Sequence, residues 1–583
     1  MSSSFIVDKQ MAQMPAPAER WLRVFGLSTL LLCMQGMAGG FFYESNDDLV
    51  MDMLLRGITG AGRVSDLHLY LHGWSQALAA LYGWAPAVPW YGLMLYGTLY
   101  FSLATYFWAL EEVSRGRLSA WQLVGTQIVF YALTFFLHAA QINFTRPALL
   151  LGAAAGLILL VPRADGRRAS WGAWVLAGLA LAAGWGLRPA GGWLGLGLTL
   201  PLALWLGWGQ GLRVVGFAGG LLLLLTLAAR LNDTAETDAY RRNDLERSQL
   251  LDYASSRLEI DTPADSLAYQ MLVPHYGIND SMLLNPAFFQ RAMRLTTGQH
   301  FVVGVYGGTL AAAGSNLVLR MPGCLLVVFG GLLVVAHAVR RRKLRLWSWP
   351  VGAFGLYQVG FWLVFLGLVS HLPLRVLQPI VTIYTLVNLG LVFGYLLPEA
   401  GVLTLLPRGP RRALLAAGIL VGIAWLGVNA RLLQILRRDK ADHLAYLARL
   451  EQEAGPGVLI EQSLYAAFPH LSPLGQHHLG GYRKVLMLTG WAAFDPSQPR
   501  LRQALVGTRD LPTALLRLGR RPDTRWLLQP AFAELLGSYL STRLALPPGR
   551  HLHFEPVPGS QLPTPASGPP RLFRLYQGAA PLN

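Results

Sequence analysis

Charge is scarce in this chain. Of its 583 residues only 14% are charged, against 53% hydrophobic, and the mean hydropathy is +0.39. That balance excludes an ordinary soluble globular protein and makes a lipid bilayer the expected solvent. Cysteine is scarcer still. Cys33 and Cys324 are the only two, both inside apolar runs, so neither a disulfide framework nor a cysteine-built zinc site is read here. No short internal repeat occurs, which sets aside propellers and solenoids. Acids are outnumbered, 31 against 48 Lys and Arg, for a net charge of +17. The bases lie between apolar runs, not in one stripe interleaved with aromatics, so no nucleic acid partner is expected.

What the chain has in abundance is apolar runs of roughly 15–22 residues, the length a helix needs to cross the hydrocarbon core. They fall at 22–42, 90–110, 121–140, 147–161, 171–187, 192–208, 213–229, 321–339, 348–370, 376–397 and 412–430. The expected fold class is therefore an all-α polytopic membrane protein of about 11 transmembrane helices, with a small C-terminal extracytoplasmic α/β domain. With the N-terminus in the cytoplasm, Arg115, Arg117, Arg163, Arg167, Arg168, Arg213, the 340–343 basic run, Arg408, Arg411 and Arg412 all lie on the cytoplasmic side, as the positive-inside rule asks. The C-terminus then lies outside. The segment 301–319 is read as interfacial, because a twelfth span there would reverse the sidedness around the 340–346 bases. The run after residue 20 lacks a small-residue cleavage site and reads as a retained first span.

The expected organisation is a cytoplasmic tail at 1–20, a transmembrane domain at 21–430 with external loops 43–89 and 230–320, and an extracytoplasmic domain at 431–583. Both loops exceed the usual connection length, so chemistry is expected on the outer side. In the first, Leu67 to Pro86 reads as an amphipathic helix lying along the membrane surface. The mixed charges from Asn232 to Asp252 read as a solvated helix laced with pairs such as Asp238 with Arg242. The last segment has short β-prone runs at 457–460 and 524–528, and a Pro/Ser-rich tail at 556–570 that reads as loop.

The strongest candidate for chemistry is Asp47-Asp48, directly after the first span. An acidic cluster where a span meets water is costly unless it is paired or used. Adjacent side chains diverge in regular structure, so one acid is free to face a substrate while the other caps the following helix; a pair of helix caps is the plain alternative. Arg188, Arg230 and Arg375 stand at outer span ends, against the positive-inside bias. They read as phosphate-binding forks or as snorkelling residues. Asn143, with Gln141 and Thr145, reads as helix glue or as a sugar-hydroxyl contact. His68 pairs in sequence with Asp66 and stands four residues before His72, a weak metal signature that interface packing explains better. Asn279-Asp280 offers a second acid or a turn, and His470, His477 and His478 read as loop histidines.

A first span followed by an acidic motif, a long external loop, many spans and an external C-terminal domain resembles the GT-C glycosyltransferases. Ser45-Asn46-Asp47-Asp48, with Met51, Gly57, Gly60, His68 and Trp90-Tyr91-Gly92-Leu93, also resembles a group of bacterial multi-span proteins. The likeness continues through Asn143-Phe144-Thr145, Arg188-Pro189, the 240–280 loop, Arg375-Val376 and Thr489-Gly490-Trp491. It implies an enzyme in the bacterial inner (cytoplasmic) membrane. Such an enzyme moves a sugar from a polyprenyl-phosphate donor to a cell-envelope glycan, lipid or protein acceptor, usually with inversion. It also implies Asp47 or Asp48 as general base and Arg188, Arg230, Arg375, His68 and Asn143 as substrate-binding residues. A divalent cation such as Mg or Mn serves some members of that superfamily as cofactor and not others. The Asp-Glu pair of the protein mannosyltransferases and the Trp-Trp-Asp motif of the oligosaccharyltransferases are both missing, so the acceptor class is open.

Other classes share the apolar composition. A transporter or flippase of lipid-linked saccharides would carry ionisable groups at the bilayer midplane, and the spans read here are almost free of charge. An O-antigen-ligase-type enzyme would rely on outer-loop Arg and His without the first-loop acid. A non-catalytic envelope assembly component would keep the fold alone.

Overall fold

The computed structural model describes residues 17–114, 118–161, 169–203, 208–231, 233–252, 263–272, 278–280, 282–285, 287–289, 373–391, 408–462, 471–475, 484–547, 550–558 and 571–579. It falls into two compact units. One comprises Met1–Phe41, Leu93–Arg230 and Gly307–Arg437; the other comprises Phe42–Gly92, Leu231–Tyr306 and Arg438–Asn583.

The first unit is helical. Among the described residues four helices are long and apolar enough to cross a membrane: Glu19–Ala38, Trp90–Ser114, Ala120–Ala140 and Gly209–Leu231. That supports a helical membrane protein but is fewer than the 11 spans expected. Thr145–Leu160, Trp171–Leu187 and Leu374–Gly390 are apolar but shorter. In the expected span 192–208, the described residues 192–202 belong to the 11-residue helix Pro189–Thr199 and a 3₁₀ turn at Leu200–Leu202, and 204–207 lie outside the described residues. Pro201 lies in that turn and lacks the N–H that would continue an α-helix. The run 412–430 belongs to the 47-residue helix Arg408–Ala454. Candidates 321–339 and 348–370, the segment 301–319, Cys324 and His470, His477 and His478 lie outside the described residues.

Helix starts follow local chemistry. Ser119 and Gln122 form a capping box before Ala120, and Ser170 caps Trp171–Leu187 by accepting from the Ala173 N–H, each satisfying an orphan first-turn donor. The helix from Ala120 to Ala140 carries a π-helical stretch at Tyr131–Phe135, a local widening that frees backbone groups for other partners. Helices Thr145–Leu160 and Pro189–Thr199 approach backbone to backbone. A Cβ on Gly195 would lie 1.9 Å from the Leu149 carbonyl oxygen, and one on Gly152 would lie 2.3 Å from that of Gly192. Small residues permit this approach where lipid offers no hydrophobic drive for association.

The second unit is α/β. Five strands, β1 (Val458–Glu461), β2 (Lys484–Met487), β3 (Thr524–Leu528), β4 (Arg550–Pro556) and β5 (Arg571–Ala579), form one sheet in the order β2-β1-β3-β5-β4. β1 is parallel to β2 and β3, whereas β5 is antiparallel to β3 and β4. All four β1 residues are buried, as expected of a central strand covered on both faces. The core joins Ile460, Trp526 and Phe573 of the sheet to Tyr240, Met271 and Phe289 of the 231–306 stretch. The segment expected as a C-terminal domain thus shares its core with residues from the second loop.

The first loop differs from expectation. Its helices are Asn46–Arg56 and Trp74–Trp84, so Leu67 to Gly73 is not helical. Leu71 (φ 57°) and Gly73 (φ 81°) adopt left-handed backbone conformations that a right-handed helix through this stretch cannot contain. His68 and His72 are therefore not one turn apart on a helix face.

Candidate functional site

Helix Asn46–Arg56 positions the acids. Ser45 is its N-cap residue, Asp47 and Asp48 lie in its first turn, where carboxylates complement the helix dipole, and Gly57 (φ 79°) ends it in a left-handed turn. Successive residues differ by about 100° around a helix, so the two carboxylates part company. Asp48 is fully buried. One of its oxygens accepts the Tyr91 hydroxyl at 2.9 Å and the other the Ser45 hydroxyl at 3.2 Å. Asp52, one turn later, accepts from the Tyr82 hydroxyl and from Arg56 Nε at 2.8 Å. The Arg56 guanidinium also lies 4.3 Å from the centre of the Tyr82 ring. Burial pushes the Tyr82 phenol well up, and the Asp52 carboxylate adds to it, so Tyr82 acts as a neutral donor.

Asp47 is half-buried and accepts the Trp491 indole N–H at 3.0 Å. Trp491 opens a 3₁₀ turn, Trp491–Phe494, that follows β2. Its ring packs T-shaped with that of Tyr70, centroids 5.6 Å apart, its carbonyl accepts the Tyr240 hydroxyl at 3.4 Å, and Asn279 Nδ2 donates to the Ala493 carbonyl at 2.8 Å. Three separate chain stretches therefore fix the group that holds Asp47.

His68 lies in the same unit. Its Nδ1 is 3.2 Å from Thr237 Oγ1 and 3.3 Å from an Asp66 oxygen, its ring meets Tyr240 edge-on, and its carbonyl accepts Arg241 Nε at 3.1 Å. Helix Ala235–Asp252, expected as a solvated helix laced with charge pairs, buries Thr237, Tyr240 and Arg247. Its ion pairs include Arg241 with Asp233 and Arg247 with Asp244. Asp495, at the end of the Trp491 turn, is 1% exposed. Burial pushes its carboxyl up, while bonds from Ser497 oppose the shift. Asp280 is a structural acid: it accepts from the Tyr539 hydroxyl and from Arg543 Nε, each at 2.7 Å.

The remaining expected residues stand in the helical unit. Asn143 is fully buried and accepts the Thr145 N–H at 2.9 Å, just before helix Thr145–Leu160. Arg188 joins it there, donating to Thr145 Oγ1 at 2.7 Å with its guanidinium 5.8 Å from the Phe144 ring centre. Arg230 is in the last turn of Trp208–Leu231, and Arg375 is in the first turn of Leu374–Leu391.

Sequence reasoning missed Trp491 and Tyr91 as partners of the acids. It also missed an ionisable pair inside the helical unit. His138 is fully buried, with Nε2 2.8 Å from Thr382 Oγ1; Arg146 is 1% exposed and donates to the Leu137 carbonyl at 2.7 Å. Both fall in or beside apolar runs, where any ionisable residue is a signal in itself.

Among the described residues no group of three or more His, Cys, Asp and Glu side chains is placed to hold a metal ion. Asp47 and Asp48 diverge, and His68 has Asp66 and Thr237 as neighbours, so these donors do not fit a shared divalent cation. Compared with family models, curated proteins and solved structures, the chain finds no match in any of the three.

Proposed function

We propose that this protein is a membrane glycosyltransferase of GT-C type, moving a sugar from a polyprenyl-phosphate donor to a cell-envelope acceptor on the outer face of the membrane, with Asp47 as general base. The observation that carries this reading is the division of labour between the two acids. Asp48 is sealed between Tyr91 and Ser45, as suits a structural acid. Asp47 keeps partial exposure and accepts the Trp491 indole N–H. In an inverting transfer the acceptor hydroxyl attacks the anomeric carbon, the glycosyl–phosphate bond breaks, and the hydroxyl proton passes to a carboxylate. Trp491 fixes the orientation that Asp47 needs for that role. The Trp491 and Tyr70 rings give the apolar face of a sugar a surface to rest on.

A second reading, a carrier of lipid-linked saccharides, is favoured by the buried pair His138 and Arg146, because intramembrane ionisable residues mark transport paths. One assay separates the two. Purified protein is given labelled polyprenyl-phosphate sugars in proteoliposomes, and both release of polyprenyl phosphate and translocation of intact donor are followed. The transferase reading expects release, reduced on the order of 10²–10⁴-fold by Asp47→Asn, whereas Asp48→Asn chiefly lowers thermal stability. Translocation without release would favour the carrier, and full turnover in folded Asp47→Asn would remove the proposed base.

A further inference from the structure

The helical unit contains a cavity of about 460 Å³, a size typical of small-ligand sites. It lies at the Arg20 end of helix Pro17–Ala38, ~27 Å along that helix from Ala38 at 1.5 Å per residue. Its wall is mainly apolar and aromatic, including Trp21, Phe25, Trp108 and Leu176, with Arg20 and Glu112 as its charged members. Trp21, Phe25 and Leu176 are also exposed, at 46%, 43% and 43%. The cavity is thus continuous with the apolar surface that such helices present to lipid. An aqueous solute has no reason to enter there, whereas a lipid tail does.

Arg20 is the polar anchor. Its Nη1 donates to Glu112 at 2.6 Å, its Nε is 3.3 Å from Glu111, and its guanidinium carbon lies 6.0 Å from the Trp108 ring centre. Its Nη2 is buried without a hydrogen-bond partner. A guanidinium N–H left in an apolar wall is costly and suits a phosphate oxygen. The surrounding charge narrows the choice. Arg20 and Arg23 face Glu111 and Glu112, so among the described residues two cations meet two carboxylates in these ion pairs. An anionic headgroup would bring a charge that these balanced pairs do not compensate. A headgroup with its own cation brings none.

We infer that this cavity holds a zwitterionic phospholipid, its phosphate on Arg20, its ammonium toward the carboxylates and an acyl chain along the aromatic wall. The inference is independent of the sugar-transfer reading. Gly172 lines the cavity, and a Cβ built on it meets no atom within 4 Å, so a large side chain enters open space there.

The test is photo-crosslinking of full-length protein in mixed micelles with a diazirine-bearing phosphatidylethanolamine, followed by peptide mapping. Labelling is expected to concentrate on helices Pro17–Ala38 and Trp90–Ser114. Unlabelled phosphatidylethanolamine should compete at least tenfold better than phosphatidylglycerol, and inorganic phosphate at millimolar concentration should not compete. Gly172→Phe should cut labelling severalfold with the thermal midpoint unchanged. It keeps the test decisive if Arg20→Gln, which strands Glu112, fails to fold. Uniform labelling of all lipid-facing helices, equal competition by phosphatidylglycerol, competition by phosphate alone, or undiminished labelling of folded Gly172→Phe would each overturn the assignment.

Discussion

Burial holds the His72 imidazole down to about 4, with the Arg241 cation adding to the effect, so this ring is neutral in the folded protein at neutral pH. In the unfolded chain it takes a proton near 6.5. Between those values the unfolded state binds a proton that the folded state refuses, and stability falls as the pH drops from about 6.5 to about 4. Asp495 has the opposite sign. Its raised folded pKa means that the folded state keeps a proton that the unfolded state has released, so its contribution weakens as the pH rises above the ordinary carboxylate value. Melting curves across pH 4 to 8 should therefore show a shallower acid limb for His72→Gln and a higher neutral-pH midpoint for Asp495→Asn. An acid limb unchanged in His72→Gln would contradict this account. Single residues were unevenly legible. Asp47 and Asp48 stand out because acids are rare beside an apolar run. Trp491, 444 positions from Asp47, carries no local signal of its contact. Arg146 was passed over because it immediately precedes an assigned span, and His138 because one histidine does not spoil an apolar run.

Hydropathy at the scale of elements reads composition but not helix continuity. Among the described residues it marked apolar helices such as Trp90–Ser114 and Ala120–Ala140, yet the 192–208 run contains a 3₁₀ turn at Pro201, and Leu71 and Gly73 turn the chain where amphipathic spacing predicts helix. Glycines are similarly ambiguous until their neighbours are known. Gly195 and Gly197 are two residues apart in helix Pro189–Thr199, but a Cβ on Gly195 would strike the Leu149 carbonyl oxygen at 1.9 Å, while one on Gly197 meets nothing within 4 Å. Backbone cannot yield as a side-chain end can. Gly195→Ala should therefore cost about 1–3 kcal/mol, the usual range for overpacking. Gly197→Ala should be neutral or slightly stabilising, because alanine is the better helix former. Thermal denaturation in detergent compares the two, and equal midpoints would mean that the helices do not approach so closely.

For the whole molecule, the fold argues against treating the C-terminal segment as a module. The sequence places an α/β domain at 431–583, and the strands β1 to β5 do lie there. The compact unit that contains them also takes in Phe42–Gly92 and Leu231–Tyr306. The dependence is physical. Tyr240, Ala268, Met271, Leu272, Phe288 and Phe289 belong to the same buried core as Val458, Ile460, Trp526 and Tyr539. The Lys484 ammonium, at the start of β2, donates to the Gly57 and Gly60 carbonyls at 2.6 and 2.8 Å, and Val485 donates its N–H to Ile58 at 3.1 Å. A fragment of residues 431–583 would expose the apolar surface that those stretches cover, and removing several buried aliphatic and aromatic side chains at about 2–5 kcal/mol each exceeds the stability of an ordinary domain. The fragment expressed alone should show no cooperative unfolding transition, whereas one that joins 42–92, 231–306 and 431–583 through flexible linkers should regain it. A sharp melting transition for the short fragment would show that its sheet and helices are sufficient. Asp47 and Trp491 would then be partners from two folding units rather than neighbours within one.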